Sequence, residues 1–177
     1  MMGLAEWDLK VFEAFNGLAG KNKRFDRLVV FFARYYTVLM PVGVLLYLQF
    51  NRGPLSFRHL VFSQLAALFA ARGIVTELIR LFYRRKRPFL AHRVKQLIKK
   101  YSEASFPSGH TISIMAMGIV LAHFEPGLGW FVVSSGLVVG LARIVAGVHY
   151  PLDVLAGIIL SWPSAVLGLS IYHYFIK

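Results

Sequence analysis

The sequence predicts an all-α membrane protein, a polytopic bundle of five transmembrane helices plus an N-terminal interfacial helix. Three observations predict it. Of the 177 residues, 57% are hydrophobic and only 16% charged, whereas soluble chains average about half apolar and a quarter charged. Five segments, 28–50, 59–83, 108–124, 127–148 and 152–176, approach the roughly 20 apolar residues that cross a bilayer as helix. The links Glu125–Pro126 and Tyr150–Pro151 are short enough to require antiparallel neighbours. One integral-membrane domain over 1–177 is the expected organisation.

The elements follow in order. In 1–20, Trp7, Val11, Phe12, Phe15 and Leu18 recur at helical spacing, with Glu6, Asp8, Lys10 and Glu13 elsewhere around the helix. That pattern suits an amphipathic helix lying in the interface, with a sixth short span as the alternative. No positive region precedes a clean apolar core, so a secretory leader is not expected. The first span carries Arg34 and Pro41, and the second carries Arg72, Glu77 and Arg80. Ionised residues inside spans are costly and mark pairing or function. Glu77, one turn before Arg80, is placed to pair with it. Arg72 has no evident assignment. Residues 84–107 form a basic loop whose Arg84, Arg85 and Lys86 read as a cationic flank anchoring the span. Gly136 and Gly140 permit close packing within the bundle, and Pro41 and Pro163 fall inside helices.

The chain lacks cysteine, which excludes disulfide and thiolate chemistry, and its formal net charge is +12. The basic residues lie between apolar spans rather than on a soluble face. They point to anionic headgroups or an anionic substrate, not to nucleic acid.

Three pieces at segment ends carry the chemistry. Arg80 and Arg87 are seven residues apart, about 10 Å along a helix axis, and Pro88 disfavours helix at Arg87. They suit one bound phosphate, or equally a charged span flank. Ser108 is a suitable N-cap, Gly109 admits an anion to the backbone, and His110 follows in the first turn. His149 lies one turn before Asp153, at the start of the last span. A carboxylate there can hold one imidazole nitrogen and leave the other to attack phosphorus; the same spacing also suits a satisfied interfacial histidine. Arg143, near the end of the preceding span, can join the anion cradle. Two histidines, a carboxylate and three arginines are an inventory for cleaving a phosphate ester, with no metal or other cofactor expected. Alternation of five spans puts all three pieces on one membrane face.

Arg80-x6-Arg87–Pro88, Pro107–Ser108–Gly109–His110 and Ala142–Arg143-x5-His149-x3-Asp153 resemble the three motifs of the type 2 phosphatidic acid phosphatase superfamily. Arg80 stands where that family has lysine, and Ala142 where it has a serine whose hydroxyl would contact phosphate. The resemblance implies that His149 is the nucleophile, forming a phosphohistidine. Asp153 would orient it, and His110 would protonate the leaving oxygen. Arg80, Arg87, Arg143, Ser108 and the Gly109 amide would hold the phosphate. The stretches from Phe12 to Asn16 and from Asp26 to Tyr35, and Arg87–Pro88–Phe89, are similar to the short bacterial members that act on undecaprenyl pyrophosphate. Lipid A 1-phosphatases and phosphatidylglycerophosphate phosphatases share the scaffold.

By this resemblance the expected partner is a lipid phosphate in a bacterial inner membrane, with the site on the extracytoplasmic face. The positive-inside rule argues the other way: Lys10, Lys21, Lys23, Arg24, Arg27 and the basic loop lie with the site, against Arg52, Arg58 and Lys177 opposite. Residues recruited to bind phosphate distort that count. Arg34 is a candidate for a second phosphate of a pyrophosphate, or an ordinary internal ion pair. A lipid phosphotransferase using the same residues is the competing activity. A non-enzymatic lipid carrier leaves the motif geometry unexplained.

Overall fold

The computed structural model describes residues 3–99 and 104–176 and is helical throughout apart from its connections. Residues 100–103 of the basic loop, and Lys177, expected opposite the site, lie outside the described residues. Helix α1 (Leu4–Asn16) precedes a continuous helical stretch made of α2 (Lys23–Val30), a π-helical turn (Phe31–Tyr35) and α3 (Tyr36–Asn51). The next stretch has the same plan: α4 (Pro54–Leu68), a π-helical segment (Phe69–Thr76) and α5 (Glu77–Phe82). After the short α6 (Pro88–Ala91) come α7 (Gly109–Phe124), α8 (Pro126–Val145) and α9 (Pro151–Ile176). Among the described residues three helices, Lys23–Asn51, Pro126–Val145 and Pro151–Ile176, are long and apolar enough to cross a membrane. Helix α7 is as apolar but has 16 residues.

Helix α7 is the centre of the bundle, buried along nearly its whole length and packed against α4, α8 and α9. Glycines set how closely α8 approaches. A Cβ on Gly129 would meet the Ala122 backbone of α7, and one on Gly118 would meet the Val133 backbone at 2.8 Å. Gly136 and Gly140 face Met115, and Val154 with Thr111, respectively, so this glycine pair packs inside the chain. At the end away from the motif residues, Arg52 pairs with Glu125 across the two tight links.

Two sequence expectations shift. Helix α8 stops at Val145, earlier than the span reading to 148, and the chain turns through Gly147 at φ 77. A Cβ there would also press on the Lys95 carbonyl, 2.8 Å away. Helix α1 buries a different face from the one expected. Asp8, Phe12 and Asn16, four residues apart, are buried, while Trp7 and Leu18 are exposed. Asn16 ties three segments together, donating to the carbonyls of Lys95 and Val145 at 2.9 Å each and accepting from the Lys95 amide at 3.0 Å.

Replacing Gly129 with valine should therefore force α7 and α8 apart at about 1–3 kcal/mol or more. Gly127→Ala, with nothing within 4 Å of the new methyl, should be tolerated. Thermal unfolding of the detergent-solubilised variants, read by tryptophan fluorescence, tests the contrast.

Candidate active site

The motif residues converge at one end of the bundle, where several helices break. Proline disfavours helix for the residue before it, and Arg87 is extended (φ −70, ψ 155) ahead of Pro88. This turns its side chain inward, where it is 1% exposed. Arg87 Nη1 donates to the Val148 carbonyl at 2.8 Å and lies 3.1 Å from His149 Nε2. A guanidinium has only donors, so Nε2 is the acceptor and the imidazole proton sits on Nδ1. That nitrogen faces Asp153 Oδ2 at 3.5 Å. Histidine and aspartate thus stand in the tautomer that leaves a lone pair on Nε2, directed at a cation.

Asp153 is anchored on all sides. As the third residue of α9 it reaches back to accept the Tyr150 amide at 2.8 Å, one half of a capping box. Its own carbonyl accepts the Ser108 amide at 2.9 Å, locking the starts of α7 and α9 together. Its Oδ1 accepts from Arg85 Nη1 at 3.1 Å. The other arm of Arg85 pairs with Asp8 Oδ2, and Asp8 Oδ1 accepts the Leu152 amide at 2.9 Å. Both carboxylates are fully buried. Arg85 also lies over the Tyr150 ring, 3.9 Å from its centroid. Burial opposes the charge of Arg85, but Asp153 and Asp8 outweigh it and raise its pKa. Burial, chiefly, raises that of the Tyr150 hydroxyl.

Burial works against the other arginines of the site. Burial and the charge of Arg80 lower the Arg87 pKa to about 10 against the opposing pull of Asp153, so it stays charged at neutral pH. Arg143, 2% exposed, gives Nη1 to the Ala33 carbonyl at 2.8 Å. Its Nε and Nη2 have no hydrogen-bond partner among the described residues. Arg80 pairs with Glu77 at 3.3 Å and reaches the Pro107 carbonyl at 3.5 Å. Ser108 occupies the N-cap position of α7 but does not cap it; its hydroxyl meets that of Thr111 at 3.0 Å. His110 lines a cavity of about 210 Å³ with Gly109, Arg72 and Thr37. Among the described residues no cluster of three or more His, Asp or Glu side chains is placed to hold a metal ion.

The structure therefore brings His149, Asp153, Arg87, Arg143 and Arg80 to the same end as Ser108, Gly109 and His110. The side chain of Arg34 is exposed and lies 5.6 Å from the centroid of the Tyr35 ring. Three residues that the sequence reading did not place in the site belong to it. Asp8 had been read as part of a polar face, Arg85 as a membrane anchor, and Arg72 had no role. The cue for Asp8 was the spacing of four from it to Phe12 and again from Phe12 to Asn16. Chemically, the site offers an imidazole with its Nε2 lone pair toward Arg87, and a second histidine, beside several arginines, an arrangement suited to a phosphate.

The profile of the PAP2 superfamily matches residues 61–177. The undecaprenyl-diphosphatase BcrC of Bacillus subtilis strain 168 is 34% identical over 165 residues, covering 93% of this chain and 82% of that protein. Two solved structures share the fold. Aquifex aeolicus LpxE superposes with a TM-score of 0.74 at 24% identity, over 92% of this chain and 94% of that one. A transmembrane PAP2-type phosphatidylglycerolphosphate phosphatase from Bacillus subtilis superposes with a TM-score of 0.61 at 19% identity, over 96% and 87%.

Asp8→Asn keeps the shape of the side chain but removes the charge that holds Arg85 against Asp153. A lost charge-assisted hydrogen bond is worth about 1.5–3 kcal/mol, so kcat should fall roughly ten- to a hundredfold. KM should change much less, because Asp8 touches Arg85 and a backbone amide rather than the anion cradle. Steady-state phosphate release measures both.

Proposed function

Because the chain belongs to the PAP2 superfamily, we propose that this multi-pass membrane phosphatase removes the terminal phosphate of a lipid diphosphate. Undecaprenyl diphosphate is the substrate best supported, since a relative of that activity matches over nearly the whole chain. The observation that carries the mechanism is the orientation of His149, with Nδ1 facing Asp153 and Nε2 facing Arg87.

In this reading Arg87 Nη1 releases Nε2 and turns to a phosphate oxygen as substrate enters. Nε2 attacks the terminal phosphorus, and a P–N bond forms as the bond to the bridging oxygen breaks. His110 protonates that oxygen, and the lipid monophosphate departs. Asp153, held by Arg85 and the Tyr150 amide, stabilises the positive charge that develops on the imidazole. Arg80, Arg87, Arg143, Ser108 and the first amides of α7 hold the equatorial oxygens, so that catalysis is mainly positioning and charge stabilisation. Water, giving its proton to His110, then cleaves the P–N bond and releases inorganic phosphate. The scaffold also suits a lipid A 1-phosphatase or a phosphatidylglycerophosphate phosphatase. A phosphotransferase would differ only in the acceptor of the second step. We place the site on the extracytoplasmic face of the bacterial cell membrane. A reporter fused to the C-terminus reads the opposite face, where α9 ends.

The direct test is phosphate release by the purified protein from undecaprenyl diphosphate, phosphatidylglycerophosphate, phosphatidic acid and lipid A, without an acceptor alcohol. The diphosphate should give the highest kcat/KM, and preference for another lipid would reassign the substrate. His149→Ala should abolish turnover and the acid-labile phosphoenzyme. His110→Ala should lose about 10²–10⁴-fold on lipid substrates and far less on an ester with a good leaving group.

Orthovanadate, which mimics five-coordinate phosphorus, should inhibit and should raise the melting temperature by relieving the cationic cluster. EDTA should do neither. Activity lost in EDTA and restored by a divalent ion would contradict the mechanism.

A further inference from the structure

Arg72 is the one residue of the cluster that the chemistry above does not use. It lies in the π-helical segment Phe69–Thr76, inside a stretch of membrane length, where an ionised side chain needs a partner or a purpose. Among the described residues no carboxylate pairs with it. The charges that feel it are those of Arg80, Arg87 and Arg143, all positive. Its guanidinium occupies the space that a Cβ on residue 109 would need, so glycine at the start of α7 is what admits it.

The side chain enters the cavity that His110 lines. The rim of that cavity includes Val38 and Leu68, which are 65% and 37% exposed on two membrane-length helical stretches. One arginine and a histidine in the lining, with apolar exposed residues beside them, suit an anion attached to a hydrocarbon chain. Arg80, Arg87 and Arg143 suffice for the phosphate under attack. A diphosphate brings a second phosphate, which leaves on the side where His110 gives its proton.

We propose that Arg72 and this cavity bind the lipid-proximal phosphate of a diphosphate substrate, with the lipid chain passing between Val38 and Leu68. The inference rests on the diphosphatase reading and replaces Arg34 by Arg72 as the residue that selects a diphosphate. As the bridging oxygen leaves, negative charge grows on the departing phosphate, and Arg72 stabilises it there. A monophosphate ester has nothing to place in that position.

The test compares farnesyl diphosphate with farnesyl monophosphate, which share one chain, on the full-length protein and its Arg72→Ala and Arg72→Lys variants. Arg72→Ala should lose about ten- to a hundredfold more kcat/KM on the diphosphate than on the monophosphate, the size of one charge-assisted contact. Arg72→Lys should recover part of that difference. Equal losses on both substrates would overturn the proposal and reduce Arg72 to a shared structural charge. A wild-type protein that cleaves only the monophosphate would sink the diphosphatase reading instead. The cavity is then tested by methylenediphosphonate as an inhibitor of monophosphate hydrolysis. It should bind wild type at least tenfold more tightly than orthophosphate does, lose that advantage in Arg72→Ala and keep only part of it in Arg72→Lys. No advantage in wild type would refute the site. If Arg72→Ala does not fold, Arg72→Lys carries both comparisons.

Discussion

The structure is governed by positive charge collected at one end of an apolar bundle. The charge of Arg72 acts on Arg80, Arg87 and Arg143, and taking the buried Arg87 and Arg143 out of water costs several kcal/mol per ion unless they are paired. The fold meets this cost with main-chain carbonyls made available where regular structure breaks. Val148 lies in the turn after α8, Ala33 in a π-helical turn and Pro107 just ahead of α7; their carbonyls accept from Arg87, Arg143 and Arg80. The two buried carboxylates of the site, Asp8 and Asp153, are joined by Arg85. Glu77, half-exposed, pairs with Arg80. Among the described residues the cluster is thus held mainly by main-chain carbonyls, with Glu77 and Asp153 the carboxylates whose charges act on it.

The irregular elements follow from the same requirement. A π turn widens the helix and alters the carbonyl ladder, and such segments concentrate at functional sites. In Phe31–Tyr35 the Ala33 carbonyl takes an arginine from α8. In Phe69–Thr76 the Thr76 hydroxyl satisfies the Ala71 carbonyl five residues back, at 2.6 Å. The second segment also explains why Arg72 was hard to read. Arg72 and Arg80 are eight residues apart, about 2.2 turns of α-helix, and so would diverge around a regular helix. The wider π turn takes up that fraction and brings both toward the motif end.

The helical bundle and most of the site were legible because both are written locally. Apolar runs of membrane length, the helix start at Ser108–Gly109 and the one-turn spacing of His149 and Asp153 depend on neighbours in the chain. What was not legible depends on contacts between distant segments. Arg85 sits in a run of four basic residues with no periodicity to single it out. Its role is set by Asp8, 77 residues away, and by Asp153, 68 residues away. Asp8 looked like the polar side of an interfacial helix because a carboxylate's type does not reveal that a half-buried arginine awaits it. Helix α1 accordingly braces the candidate site: Asp8 holds Arg85 and the Leu152 amide and Asn16 the Val145 carbonyl, while Trp7, and Leu18 just after the helix, are exposed.

Ala142, which stands where the family pattern has serine, carries the same logic one step further. Its side chain does not face the anion cradle but is buried in an apolar cluster with Val29, Ala33 and Val145. A serine hydroxyl there would need a partner within that cluster or bear the cost of burial without one. The neighbouring Arg143 donates to the carbonyl of the same Ala33. A small apolar residue at 142 is therefore compatible with the close approach of the π turn that gives Arg143 its acceptor. The departure from the family pattern and the irregular helix belong to one packing solution, in which a main-chain carbonyl positions the arginine while its Nε and Nη2 have no hydrogen-bond partner among the described residues.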